Sequence, residues 1–290
     1  MKSIEYGTMA KVLLVGNGIN LSFNKPSWDD LIDMQMKSDI SNKDIKSMPY
    51  PMQIVVASND SVDAFMKKYA AVLKTEEIPD KQKIFIKKLV DCKVDAILTT
   101  NYSLEIEKSI FENYSDYKRR RVSKRLHEGN AKQKKFRLFD YIELPNEKSL
   151  WHIHGDAYHI KSMIMGHYFY GELIATIDRC IHKLIKRYTG CEAYKKDFMP
   201  KSWMDYFMTG EVHIMGLGMD LSEMDLWWLA CCKKKNFPNT KIYFYDPIHS
   251  NKQRELLMES YGINLVKDVE FKNDDYIGYY EAVINRINSL

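Results

Sequence analysis

The chain has 290 residues, of which 45% are hydrophobic and 28% charged, with a formal net charge of +4. This composition is ordinary for a globular protein and excludes disordered, collagen-like and disulfide-rich classes. No stretch reaches the roughly 18–20 apolar residues of a membrane-spanning helix. The first ten residues lack the apolar middle and cleavage site of a secretory signal. We therefore expect a cytoplasmic protein.

The cysteines argue against a metal centre. There are five, and no two form a C-x-x-C pair: Cys92, Cys180, Cys191, Cys231 and Cys232. Structural zinc sites usually draw four ligands from closely spaced pairs. Free thiols in a reducing compartment are the simpler interpretation. We predict no bound metal and no zinc.

Short apolar segments that end at small or polar residues recur along the chain. Such segments are typical of strands buried on both faces of a parallel sheet. They are Lys11–Val15, Val94–Thr99, Leu150–His154, Val212–Met215 and Lys241–Tyr245, and the alternating segment Phe136–Leu144 is a further strand candidate.

Helical patterns separate these strands. Ser27 and Asp30 have the spacing of an N-cap and its N3 partner, which predicts a helix start there. Apolar residues at helical spacing continue to about Lys88 and return over about Leu104–Tyr114. Further helices are predicted within 168–206, after Gly218, and over about 274–289.

Alternating strands and helices predict an α/β fold with a Rossmann-like open parallel sheet. Two helical segments, about 30–90 and 160–208, are too long for simple crossovers between strands. We expect them to form an inserted helical lobe beside the sheet.

In open parallel sheets, ligands bind outside the carboxyl ends of the strands. The residues that follow the predicted strands would suit a dinucleotide, because glycines let the backbone approach a pyrophosphate and polar side chains can reach a ribose. They are Gly16, Asn17, Gly18, Asn101, His154, Gly216, Gly218 and Asp246. The turn at Gly16-Asn17-Gly18 lacks the third glycine of the G-x-G-x-x-G pattern. Taken alone, it is therefore as consistent with a tight structural turn that needs glycine for its backbone conformation as with a phosphate-binding turn.

Four segments together resemble a known family. In chain order they are Gly16-Asn17-Gly18-Ile19-Asn20, Thr99-Thr100-Asn101-Tyr102, His152-Ile153-His154-Gly155 and Gly216-Leu217-Gly218-Met219-Asp220-Leu221-Ser222. They resemble the ordered signatures of the sirtuin-like (silent information regulator) domain. The forms that these motifs take here are closer to the bacterial branch found in anti-phage defence. Two further segments also resemble that branch: Trp28-Asp29-Asp30-Leu31 and Met165-Gly166-His167-Tyr168.

The resemblance spreads over about residues 11–246 and implies a single sirtuin-like domain spanning 1–290. It implies that Gly16, Asn17 and Gly18 line the pyrophosphate. Asn101 would orient the attacking water or the ribose, and His154 would be the general base. Gly218, with the neighbouring Met219 and Asp220, would hold the adenosine half. Gly216 of the same turn would also contact the cofactor, and Asp246 matches a polar residue at the last strand end. We interpret the neighbouring His152 as a hydrogen-bonded structural residue.

One departure from the family pattern bears on activity. The sirtuin zinc module, with two C-x-x-C pairs after the catalytic histidine, has no counterpart in this sequence. That module helps to form the acyl-lysine cleft, so protein deacylation is not expected. Water then becomes the acceptor, and the resemblance implies an NAD hydrolase that releases ADP-ribose and nicotinamide, with NAD as substrate and no other cofactor. It also implies regulation, through a homo-oligomer or a separately encoded partner.

A basic segment gives an alternative interpretation. Residues 118–137 contain ten basic residues and one acidic residue, a local charge of +9, which leaves −5 for the rest of the chain. A run of charge is usually a solvated loop, but it also suits contact with nucleic acid. The alternative function is a non-catalytic NAD- or ADP-ribose-binding module, or a nucleic-acid-associated regulatory module. Asn101 and His154 at strand ends favour the enzyme.

Overall fold

A computed structural model describes residues 9–33, 42–58, 61–113, 116, 118, 120–123, 137–189, 199–247 and 252–290. Cys191 and most of the basic segment (119 and 124–136) lie outside these ranges. The described residues form eight strands: β1 (Lys11–Val15), β2 (Ala96–Thr99), β3 (Arg121–Ser123), β4 (Asp140–Glu143), β5 (Ser149–His152), β6 (Glu211–Met215), β7 (Ile242–Tyr245) and β8 (Ile263–Val266). All six predicted strands are present, whereas β3 and β8 were not predicted.

The same residues form twelve α-helices and a 3-10 turn at Ile160–Ser162. The helices are α1 (Gly18–Leu21), α2 (Trp28–Asp33), α3 (Asn42–Lys46), α4 (Tyr50–Ala57), α5 (Val62–Thr75), α6 (Asp80–Asp91), α7 (Glu105–Ile110), α8 (His167–Thr189), α9 (Trp203–Thr209), α10 (Met224–Asn236), α11 (Lys252–Ser260) and α12 (Tyr276–Asn288). In the described part of the chain, none of them has both the length and the apolar character to cross a membrane.

The strands form one sheet in the order β3-β4-β5-β2-β1-β6-β7-β8. The six strands from β5 to β8 are parallel and have the strand order of a Rossmann fold. This confirms the predicted α/β, Rossmann-like class. The sheet is not wholly parallel, because β3 and β4 are antiparallel at one edge. The connection between Glu143 and Ser149 is too short for the crossover that a parallel pair requires.

Both faces of the sheet are buried, as the continuous apolar strands predict. In β1, Val12 and Leu14 face a core that includes α8, α9 and α10. Leu13 and Val15 face a second core that includes α6 and α12. Side chains alternate between the two faces because the strand has a period of two residues. Helices on both faces leave the ends of the strands as the place for a cleft.

Helices α2 to α5 form a third core beyond the carboxyl ends of the strands, and Tyr102 and Met165 join it. The start of α2 is the predicted capping box: Asp30 N donates to Ser27 Oγ at 3.1 Å, and Ser27 N donates to Asp30 Oδ2 at 2.7 Å. Of the two segments predicted as a helical lobe, only α2 to α5 stand apart in this way. Helices α6 and α8 instead cover the two faces of the sheet.

Pairing between strands aligns their carboxyl ends. Val15 pairs with Thr99 and with Met215, Thr99 pairs with His152, and Met215 pairs with Tyr245. These five residues therefore form one row across the sheet. The polar and glycine residues that follow each of them emerge side by side.

Candidate functional site

A cleft of about 450 Å³ lies between this row of strand ends and helices α2 to α5. Its volume is in the range typical of small-molecule sites. The structure brings all but one of the predicted site residues into its lining: Asn17, Gly18, Asn101, His154, Gly216, Gly218, Asp220 and Asp246. The exception is Gly16, which is not among the lining residues of the described cleft.

The first glycine turn packs against the second. Gly16 N donates to Met215 O at 3.1 Å and Gly18 N donates to Gly216 O at 2.6 Å. A Cβ atom on Gly16 would lie 2.5 Å from Gly216 O, closer than atoms can approach. The N–H groups of Gly16 and Gly18 are therefore both used between β1 and β6.

The second turn is more open. Gly216 has φ +66°, a conformation that favours glycine. Gly218 is exposed, and a Cβ atom there would meet nothing within 4 Å. Arg254 donates to Gly218 O and to Asp246 Oδ2, the latter at 3.2 Å. Asp246 thus lines the cleft as predicted, but it is ion-paired and holds the outer side of this turn through Arg254.

Asn101 is held by a buried polar network. Its Nδ2 donates to Glu105 Oε1 at 2.7 Å, and Asn20 Nδ2 donates to the same oxygen at 3.2 Å. Ser103 donates to the other oxygen of Glu105, and Gln82 donates to Asn20 Oδ1 at 2.9 Å. Burial raises the pKa of Glu105 in spite of these donors. With its amide nitrogen fixed, Asn101 is left its Oδ1 to accept a hydrogen bond from a ligand.

His152 fixes the backbone of the same asparagine. Its Nδ1 donates to Asn101 O at 2.8 Å and its Nε2 donates to Glu107 Oε1 at 2.7 Å. Burial alone would lower the pKa of His152, but the Glu107 carboxylate outweighs burial and raises this pKa to about 9. The contacts agree with the interpretation of His152 as a hydrogen-bonded structural residue.

His154 lies two residues beyond the end of β5, buried but in the cleft lining. Its Nε2 donates to Asp225 Oδ2 at 2.8 Å, and its ring meets Tyr170 edge-on at 5.5 Å. Burial disfavours the charged imidazole and would lower the pKa of His154. The negative charges of Asp225, and to a smaller extent Glu223, outweigh burial and raise this pKa. A histidine oriented by a buried carboxylate is the usual arrangement of a general base.

Glu223 and Asp225 were not predicted as site residues. Glu223 lines the cleft, and one atom each from His154, Glu223 and Asp225 lie within 4.8 Å of one another. Such residue types bind divalent cations, but the 2.8 Å contact between His154 and Asp225 is a hydrogen bond, with a proton between the two atoms. The prediction of no bound metal stays a prediction.

Helices α2, α4 and α5 supply the opposite wall, which includes the aromatic rings of Trp28, Tyr50 and Tyr69. Trp28 and Tyr50 meet edge-on at 5.8 Å, and both line the cleft. This wall is tied to α7 at one corner: Lys108 donates to three carbonyls at the end of α5, of which Glu76 O is the closest at 2.6 Å. Nearby, Lys25 donates to Glu77 O at 2.6 Å.

Sequence reasoning missed residues whose role depends on contacts between distant segments. Asn20 was not predicted as a site residue, although it links Asn17, Ser103 and Glu105. Glu223 and Asp225 follow the second glycine turn directly, and two carboxylates at that place were the available signal.

The fold and the cleft define a Rossmann-like α/β protein with a small-molecule site at the carboxyl ends of its strands. The family model of the SIR2-like domain matches residues 95–266, more than half of the chain, and the protein belongs to this family. The predicted sirtuin-like domain is thereby confirmed. The family is typically enzymatic and NAD-dependent. No curated protein matches the chain at a significant level. The matched range contains Asn101, His154 and the second glycine turn but not the first.

Proposed function

We propose that this protein is an NAD glycohydrolase, which breaks the nicotinamide–ribose bond of NAD to give ADP-ribose and nicotinamide. The observation that carries the proposal is the meeting of Asn101 and His154 in one cleft, each with its position fixed by buried partners. Family membership supports NAD as the ligand.

Hydrolysis of NAD requires few catalytic side chains. The nicotinamide–ribose bond breaks through an oxocarbenium-like state, and nicotinamide leaves as a neutral molecule. The enzyme must hold the ribose, exclude bulk water and activate one nucleophile. Asn101 Oδ1 accepts a hydrogen bond from a ribose hydroxyl or from the attacking water. His154 takes the proton through Nδ1, because its Nε2 is bound to Asp225.

Water is the proposed acceptor. The sequence has no C-x-x-C pair with which to build the zinc module that shapes the acyl-lysine cleft of sirtuins. A protein deacylase is therefore the less suitable activity. The proposed products are ADP-ribose and nicotinamide, so NAD is consumed as a substrate.

Nicotinamide release from NAD by the purified protein tests this proposal, with His154→Ala and Asn101→Ala as variants. We expect each substitution to lower kcat by about 100-fold or more, in the range for loss of a general base or an orienting group. Circular dichroism checks that the variants fold. Wild-type protein that never releases nicotinamide, in any oligomeric state, would contradict the proposal. Asn101→Ala turning over at the wild-type rate would contradict the placement of the site.

A non-catalytic module that binds NAD or ADP-ribose is the second candidate. The observation in its favour is that Asp225 and Glu223 raise the pKa of His154, which favours a charged imidazole that cannot accept a proton. Such a module would bind ADP-ribose without releasing nicotinamide. Isothermal titration with ADP-ribose, beside the nicotinamide assay, separates the two functions.

We further propose that the protein acts in the cytoplasm as an NAD-depleting effector in anti-phage defence, as a homo-oligomer controlled by a separately encoded partner. Unrestrained NAD loss would kill the cell, so such an enzyme has to remain inactive until it is triggered. The test is bacterial NAD content during phage infection with wild-type protein and His154→Ala. Equal NAD loss with both would contradict this role.

A nucleic-acid contact through residues 118–137 is a separate proposal. Two of its described cations are already paired inside the protein: Arg137 lies 3.0 Å from Asp156 Oδ2, and Arg121 contacts His159 Nε2 at 2.6 Å. The remaining positive charge would serve a partner. Titration with nucleic acid at several salt concentrations should give a steep salt dependence, and a flat one would remove this partner.

A further inference from the structure

Two carboxylates at the start of α10 lie close to the catalytic candidate His154. Glu223 is the N-cap residue of α10 and lines the cleft. Asp225, in the first turn of that helix, is completely buried and is not part of the lining. Asp225 therefore contacts His154 without lining the cleft, whereas Glu223 lines the cleft in which a ligand would bind.

Each carboxylate has an oxygen that has no hydrogen-bond partner in the part of the chain that the structure describes. Glu223 Oε2 and Asp225 Oδ1 are buried and accept no hydrogen bond from the described residues. Buried carboxylate oxygens are normally paired, because loss of hydration is costly. For Glu223, which faces the cleft, a group of the ligand is the natural partner.

The charges around the cleft leave the carboxylate of Glu223 available to act on a ligand. Among the described lining residues, Lys25 is the only lysine or arginine, and it is ion-paired with Glu76 at 3.1 Å. Glu223 is therefore not neutralised by a lysine or arginine of the described lining. When the nicotinamide–ribose bond breaks, positive charge moves from the nicotinamide ring to C1′ and the ring oxygen of the ribose. A carboxylate beside that position stabilises the charge, as carboxylates do in glycosidases.

We propose that Glu223 is a further catalytic residue, whose carboxylate stabilises the positive charge on the ribose, and that Asp225 is a positioning residue that orients His154. This inference rests on the proposed NAD hydrolysis. The C1′–N bond breaks, and its electron pair remains on the nicotinamide nitrogen. The oxygen of water bonds to C1′, and a proton of that water passes to His154 Nδ1 and on to solvent.

The electrostatics of the cluster give a pH dependence. Burial raises the pKa of Glu223 to about 7, and nearby His154 opposes the rise. Other groups that act on Glu223 are Asp220 and Asp225, which both raise its pKa. Because the reaction needs an ionised Glu223 and a neutral His154, we expect kcat/KM to increase with pH through the neutral range.

The experiment compares wild type with Glu223→Gln, Glu223→Asp and Asp225→Asn, and with Glu259→Gln as an exposed control. For Glu223→Gln we expect kcat to fall about 100-fold, as when one stabilising group is removed from a developing charge. The affinity for ADP-ribose, measured by titration calorimetry, should change less than about threefold, because the product carries no such charge. Glu223→Asp should recover part of the lost kcat, and Glu259→Gln should match wild type.

Asp225→Asn has a different signature. Since Asp225 raises the pKa of His154, its removal should shift the acid side of the kcat/KM profile to lower pH. A purely structural role would lower activity without that shift. An unshifted profile would contradict the positioning role.

Three outcomes would overturn the role of Glu223. The first is wild-type kcat in Glu223→Gln while the wild type hydrolyses NAD, which leaves the proposed function intact. The second is loss of activity on treatment with EDTA and recovery with a divalent cation, which would make the carboxylates metal ligands. The third is a wild type that binds ADP-ribose but never releases nicotinamide, which removes the proposed function as well.

Discussion

The first and second glycine turns share the pattern G-x-G and lie side by side at the ends of β1 and β6, but they are built differently. The first has no spare room, since a Cβ atom on Gly16 would overlap the backbone of the second turn. The second is open at Gly218 and is held from outside by Arg254.

The two turns show two different reasons why a position requires glycine. Gly16 allows two strand ends to approach each other, and the N–H groups of its turn are used between strands. Gly218 leaves space beside the cleft, where a ligand would lie. The same sequence pattern therefore serves packing at one turn and access at the other, and only the surroundings distinguish them.

Gly16→Ala should have the largest effect on stability. The new methyl group would meet backbone atoms of Gly216 and Leu217, which cannot turn aside as a side chain does. We expect the free energy of unfolding to fall by about 3 kcal/mol, at the upper end for overpacking. Urea unfolding followed by circular dichroism measures the change. Unaltered stability would show that the two turns are not in contact.

Arg254→Ala should have an intermediate effect. It removes the hydrogen bond to Gly218 O and the ion pair with Asp246, both near the surface. We expect a loss of about 1 kcal/mol in unfolding free energy, since partly exposed ion pairs contribute little. Lys252→Ala, an exposed residue of the same helix, is the control. Equal losses in both variants would mean that Arg254 does not hold the turn.

Gly218→Ala should have the smallest effect on stability, within about 0.5 kcal/mol, because the methyl group enters open space. It should instead weaken ADP-ribose binding, about tenfold for each 1.4 kcal/mol of lost contact. Titration calorimetry on this variant, beside wild type, measures the affinity. Unchanged affinity would place the ligand away from the second turn.

Much of the fold could be predicted from the periodicity of apolar residues and from the residues that mark the ends of helices and strands. Strands buried on both faces read as continuous apolar runs, as in Lys11–Val15, and Ser27 with Asp30 marked a helix start. Strand β8 was missed because Ile263–Val266 is short and only Ile263 in it is fully buried. The antiparallel edge depends on how β3 and β4 pair, which no local pattern encodes.

The site was predictable where one residue follows one strand, as for Asn101 and His154. The residues that orient them were not, because no local pattern shows which side chains meet at the site. Glu105 supports Asn101 from the next helix, whereas Asp225 reaches His154 across 71 positions. The packing of Gly16 against the second turn, outside the cleft lining, was not predictable either.

The ammonium group of Lys108 has a mechanical consequence for the aromatic wall of the cleft. It joins α7, just after Asn101, to the carboxyl end of α5, and Lys25 adds a second attachment at Glu76 and Glu77. Rotation of helices α2 to α5 as a body must break these charge-assisted bonds or turn about them. Residues 73–77 therefore anchor the wall that carries Trp28 and Tyr50 beside the strand end that carries Asn101.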